Sequence, residues 1–286
     1  MRIPTLCSAV TALFLSGCIQ TIATDTVGDI VDDGFVGFTE EQDLELARQA
    51  LPANLKLLEV MLKNSPDNPT ILRLLSQGYS SYALGFVEDQ DPVRARIFYL
   101  RARDYGLRLM RRNGDLARGL DGTADDLKRA LARASADEVP GVFWTAFGWG
   151  SYIQLTLTDP DALADLPRAE AMMHFVDRND SAYYYAGASL FLGTLYGSRS
   201  KFLGGDYDVS RAYFDRALRI NRRAFLMTQV YCAKSLAVQT LDEELFDRMI
   251  AEVDSASIDL LPENRLANAI AKEKAARLKE RKPELF

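Results

Sequence analysis

The chain has 286 residues, with 34 Lys plus Arg against 40 Asp plus Glu, a formal charge of −6, 48% apolar residues and a single His. That is a folded composition, long enough to bury a core without disulfide staples. One His excludes a multi-His metal centre, and an acidic chain without basic tracts is a poor nucleic-acid binder, because that affinity comes mostly from phosphate neutralisation.

Residues 1–17 read as an export signal: Arg2, then an apolar stretch from Ile3 to Leu15, then small residues. The stretch falls short of the ~20 residues a membrane-spanning helix needs. Leu15-Ser16-Gly17-Cys18 resembles a bacterial lipobox. The resemblance implies cleavage before Cys18 and a lipid on its sulfur, and several acyl chains anchor a protein stably where one does not. Ile19, rather than Asp, follows the cysteine, so by resemblance to Gram-negative sorting the expected location is the inner leaflet of the outer membrane. Residues 18–38 form an acidic tether that contains Gly and lacks Lys and Arg. Cys7 leaves with the signal, which makes Cys232, in an apolar run, buried filler.

Residues 39–286 read as one all-α domain. Thr39 and Gln42 have capping-box spacing, and Leu51-Pro52 is expected to break or restart the first helix. Asn68-Pro69 and Asp91-Pro92 each place a capping side chain ahead of a proline suited to the first helical turn. Apolar periodicity predicts helices over 40–63, 69–88, 92–112, 123–134, 140–157, 167–178, 181–197, 207–220, 222–239, 241–254 and 262–280.

A spacing recurs. Gly78 is followed by Ala95, Tyr99 and Ala102, and Gly193 by Ser210, Phe214 and Ala217, at the same offsets. Leu192-Gly193 with Tyr196 has the Leu-Gly-x-x-Tyr core of a tetratricopeptide repeat, and Trp144, Phe147, Gly148 and Ser151 are a looser copy. A small residue on one helix lets the next approach, a large residue fills the gap, and the Ala admits the following hairpin. The offset is too long for a compact repeat. The expected fold is therefore an α-solenoid of tetratricopeptide-like hairpins with extended loops.

Candidate function lies in the aromatic block of Phe143, Trp144, Phe147, Trp149 and Tyr152, followed by Tyr183, Tyr184 and Tyr185. Trp144 and Phe147 suit a core, whereas Trp149 and Tyr152 suit a core or an open ligand wall equally well. Gly148 and Gly150 cost helix stability, roughly 1 kcal/mol each against Ala, and so signal close backbone approach or a surface kept open. Phe202 and Leu203 stand in the loop 197–206 as a flexible turn or a recognition element. The arginines between Arg94 and Arg112 read as a solvated or ion-paired face ahead of an anionic-ligand site, and His174 as an interior or boundary residue ahead of a catalytic one. Asp125-Asp126, Asp159 and Asp161 read as helix caps rather than a catalytic pair, so no enzyme is expected.

Taken in order, Ala50-Leu51-Pro52-Ala53-Asn54-Leu55, Gly78-Tyr79, Gly85-Phe86-Val87-Glu88, Trp149-Gly150-Ser151, Leu203-Gly204-Gly205 and Leu266-Ala267-Asn268-Ala269 resemble the TRAP transporter T-component family of bacterial lipoproteins. The resemblance implies a lipid-anchored, periplasm-facing accessory subunit of a tripartite ATP-independent transporter. It implies a partner in the periplasmic substrate-binding component, and a homo-oligomer, such as a trimer around a channel. It implies ligands among organic acids and small apolar molecules, and no cofactor. Residue type and position select Tyr82, Trp149, Tyr152, Tyr196, Phe202, Asn268 and Lys272 as groove or pore contacts. A tetratricopeptide scaffold for envelope or outer-membrane assembly is the alternative function.

Overall fold

A computed structural model describes residues 37–286, in which helices are joined by turns without a β-strand. The signal segment, the expected lipidation site Cys18 and the tether up to residue 36 lie outside the described residues. None of the described helices is long and apolar enough to cross a membrane.

Helix α1 is Leu44–Asn64, and Asp43 caps it by accepting from the amides of Glu45 and Leu46. The cap is thus not Thr39, whose hydroxyl donates to the carbonyl of Glu263 at the far end of the chain. Nor does Pro52 end the helix. Its missing donor is outweighed by Leu51, Leu55, Leu58 and Leu62, which bury one continuous face.

Helix α2 (Pro69–Tyr82) starts at the Asn68 cap and runs into a π-helical turn, Ala83–Val87. Helix α3 (Pro92–Met110) starts at the Asp91 cap. A short helix α4 (Gly114–Asp121), absent from the periodicity, precedes α5 (Ala124–Leu131). The capping box expected of an all-α chain sits at α5, between Thr123 and Asp126.

Helix α6 spans Val139–Gln154, α7 Pro160–Ala164 and α8 Leu166–Asn179, and Asp159 caps α7. Helix α9 covers Tyr183–Gly197, but Tyr184, Tyr185 and Ala186 at its start have φ of 46°, 60° and 65°. Helix α10 is Tyr207–Ile220.

The expected helix over 222–239 begins late. Arg222 and Arg223 have positive φ, so α11 starts only at Met227 and ends at Tyr231. A second π-helical segment, Cys232–Ala237, leads into α12 (Val238–Thr240). Helices α13 (Glu243–Ser255), α14 (Arg265–Glu280) and α15 (Lys282–Leu285) complete the chain.

Consecutive elements pack on one another: α2 on α3, α3 on α6, α6 on α8, α8 on α9, and α9 on α10. The spacing logic is visible at two joints. A Cβ on Gly193 would stand 3.2 Å from the Phe214 ring, and Ser210 donates to the Gly193 carbonyl at 2.7 Å. A Cβ on Gly148 would stand 3.1 Å from both Ala102 Cβ and the Arg103 amide, so this glycine lets α6 lie directly on α3. The last long helix, α14, returns to α1 and brings the two ends of the domain together. Cys232 is buried and free, and burial pushes its thiol up to about 12, which makes it inert filler.

Candidate functional site: an aromatic cavity with a charged rim

The succession of helices encloses a cavity of about 390 Å³. That lies within the range of roughly 300–1,000 Å³ typical of small-molecule sites. Its wall draws on α2, α6, α9, α11 and α14 together with both π-helical segments. It is assembled from both ends of the domain, so no short stretch of sequence contains it.

The deep wall is aromatic. Phe143, Trp144, Tyr184 and Phe225 all line it. Trp144 meets Tyr184 edge-on with centroids 4.7 Å apart, Phe143 meets Trp144 at 5.0 Å, and Tyr184 meets Phe225 at 5.8 Å. Such edge-to-face pairs add about 0.5–1.5 kcal/mol each beyond area burial. The left-handed turn at Tyr184 to Ala186 takes the chain into this cluster. Left-handed backbone costs roughly 1–2 kcal/mol per non-glycine residue, which ring packing is large enough to offset. Gly150 also lines the cavity, and a Cβ there would stand 2.2 Å from the Phe191 ring. The two glycines flanking Trp149 thus divide the work: Gly148 admits α3, and Gly150 admits Phe191.

The rim is polar and lies where the two π-helical segments meet. Glu88 and Asp89 follow the first, and Lys234 and Ser235 belong to the second. Lys274 of α14 sits behind the acids, with Nζ 2.9 Å from Glu88 Oε1 and 2.7 Å from Asp89 Oδ2. Tyr99 donates to Glu88 Oε2 at 2.6 Å, Tyr231 to Glu88 Oε1 at 3.3 Å, and Arg277 Nη1 to Asp89 at 2.9 Å. Burial pushes the Asp89 carboxyl up, but the charge of Lys274 overrides it and holds the group below its ordinary value. Burial likewise disfavours charged Lys274, yet Glu88 and Asp89 win and raise its ammonium. This network ties the first third of the domain to its last helix.

The seven residues selected from the sequence are dispersed, and none lines the cavity. Tyr82 packs against Phe86 and Phe98. Trp149 is buried beneath the Arg103 guanidinium, 5.6 Å from the ring. Tyr152 is half-buried against the core, and Tyr196 donates to Glu170 while stacking on Tyr213. Phe202 is 94% exposed on the turn Lys201–Leu203. Asn268 is fully buried: it accepts from the Leu226 amide and donates to the carbonyls of Ala224 and Ile258. Lys272 donates to the Val253 and Asp254 carbonyls near the end of α13. The last two tie α14 to its neighbours, which accounts for polar residues on an otherwise apolar face.

The residues that do line the cavity gave a partial signal. Phe143, Trp144, Phe147 and Tyr184 stood in the aromatic block, of which Trp144 and Phe147 suited a core, and all four pack on the core and line the wall. Phe225 and Lys234 gave no signal, because their positions depend on the positive-φ turn at Arg222 and Arg223 and on the second π-helical segment. The arginine-rich helix α3 lies over aromatic faces, with Arg94 above Phe98 and Arg101 above Tyr79, and pairs elsewhere with Asp104 and Asp121.

The sequence model of the TRAP transporter T-component family matches residues 40–286. The chain belongs to that family. This T-component is also 25% identical, over 268 residues, to an uncharacterized protein of Treponema pallidum (strain Nichols), a match covering 87% of this chain and 82% of the other. Membership makes it an accessory component of a TRAP transporter. The match begins within the described residues and includes every residue of the cavity wall except Phe38 and Thr39.

Proposed function

We propose that this T-component holds a small, largely apolar organic ligand in its aromatic cavity and presents it to the substrate-binding component of its transporter. The observation that carries this reading is the cavity itself: a lining dominated by apolar and aromatic side chains, in which the charged groups are Glu88, Asp89 and Lys234. A pure peptide scaffold needs a long open groove and gains little from a compact, partly open aromatic cavity of this volume. Anchoring through acylated Cys18, at the inner leaflet of the outer membrane, would hold the domain on a tether facing the periplasm. Homo-oligomerisation would align the cavities of several copies. The exposed Phe202–Leu203 turn is the proposed docking element for the substrate-binding component, since two adjacent apolar side chains stand in solvent there.

The chain has two tryptophans, and only Trp144 lines the cavity. A Trp149→Phe variant therefore makes Trp144 the sole reporter. Titration with the neutral fluorophore N-phenyl-1-naphthylamine should give saturable energy transfer from Trp144, abolished by filling the wall with Ala267→Phe. Extraction of the acylated protein in mild detergent should co-purify the substrate-binding component. Non-saturable fluorescence, with only envelope-assembly proteins retained, would overturn the proposal in favour of a scaffold.

A further inference from the structure

The cavity wall carries three charged side chains among the described residues: Glu88, Asp89 and Lys234. The two carboxylates are already engaged. Lys274 is 5% exposed and bonds both of them, Tyr99 and Tyr231 donate to Glu88, and Arg277 donates to Asp89. Lys234 is different. No acidic group of the described residues lies within ion-pair distance of it, and its Nζ stands 5.5 Å from the Tyr231 ring centroid. It is exposed, on the π-helical segment Cys232–Ala237, whereas Phe143, Trp144, Phe225 and Met227 of the wall are buried.

We infer that Lys234 is the head-group specificity residue of the cavity, and that it selects an amphipathic anion whose apolar chain lies along the aromatic wall. The inference rests on the cavity reading above and adds polarity to it. Lys234 feels Asp89 only through space, its charge helping to lower that carboxyl without a contact ion pair. An exposed ammonium at the open end can therefore accept a carboxylate with little desolvation of its own. The neighbouring carboxylates do not repel that anion strongly, because Lys274 and Arg277 together balance their two charges. The amide of Gln239, exposed on the same wall, supplies a further polar group, whereas the buried Ser235 hydroxyl already donates to the Tyr231 carbonyl. π-Helical turns recur at functional sites, and here the residues flanking two of them, Tyr231 and Glu88, are joined by a hydrogen bond at the cavity wall.

The test compares decanoate with 1-decanol, probes of equal chain length that differ in charge, as competitors of N-phenyl-1-naphthylamine at pH 8. Decanoate should compete about tenfold better than decanol for the wild-type chain. Lys234→Met should remove that preference while leaving the fluorophore and decanol affinities unchanged, and Lys234→Arg should restore it. Equal competition by the two probes for wild type, or an equal loss for both in Lys234→Met, would overturn the inference and leave the cavity reading standing. Failure of the fluorophore to bind would overturn both.

Discussion

Trp144 and Trp149 lie five positions apart on α6, and their surroundings differ completely. Trp144 stands among Phe143, Phe147 and Tyr184 and lines the cavity. Trp149 sits under the guanidinium of Arg103 from α3. The same pattern extends outwards. Tyr79 lies between Phe98 and Tyr105 beneath Arg101, and Tyr196 stacks on Tyr213 beside Glu170. These outer rings are thus capped by charged side chains, whereas Phe143, Trp144, Tyr184 and Phe225 are capped by one another; at the edge of that cluster the wall rings Phe86 and Tyr231 lie beneath Arg48 and Lys234. A ring closed over by a cation offers less of its face to a ligand, so the cluster around Trp144 is the part of the wall left to an apolar ligand.

The comparison can be broken by truncating its two sides. Trp144→Ala removes the ring at the centre of the inner cluster and should cost about 3–5 kcal/mol in urea unfolding. It should also abolish binding of the neutral fluorophore. Trp149→Phe keeps most of the outer ring's volume, so it should cost less than ~1.5 kcal/mol and leave binding intact. If both variants bound the fluorophore as wild type does, the distinction between the layers would be lost.

The charged rim supplies the next effects. Lys274→Ala leaves Glu88 and Asp89 without their buried partner and should destabilise by about 3 kcal/mol. The pH dependence follows from the two shifts. Asp89 is held below its ordinary value, so its contribution is present above the unfolded-state value and lost as pH falls through the folded one. Lys274 is raised, so its contribution is present below the unfolded-state value and lost as pH rises through the folded one. Stability should therefore fall at both the acid and the alkaline extremes in wild type, and more shallowly in Lys274→Ala. Thermal melts across pH would check this.

Tyr99→Phe deletes one donor to Glu88 without opening a cavity and should cost about 1.5–3 kcal/mol, read by the same melts. The smallest effect belongs to Phe202→Ser. Its ring packs on nothing, so stability should change by less than ~0.5 kcal/mol. Retention of the substrate-binding component in a pull-down should nevertheless drop, and unchanged retention would move the docking surface elsewhere.

Much of the fold was legible locally. Asn68-Pro69, Asp91-Pro92 and Asp159-Pro160 each mark a helix start that the structure keeps, because a capping oxygen and a fixed φ act within one turn. Tyr99, Phe214 and the small residues spaced from them mark helix joints, since close approach needs missing side-chain atoms. Less of the site was legible. Asn268 and Lys272 looked like functional polar residues, but their partners are carbonyls of distant turns that periodicity does not place.

The sequence by itself thus determined an all-α chain, its main helix starts and its inert buried thiol, all consequences of short-range caps, periodicity and composition. Tertiary structure alone decided which rings face inwards. That choice depends on left-handed backbone at Tyr184 to Ala186 and at Arg222 and Arg223, on two π-helical segments that rotate the residues after them, and on α14 returning to α1. Each of these is a local cost accepted because long-range packing repays it, and energies of that kind are not written in any one stretch of chain.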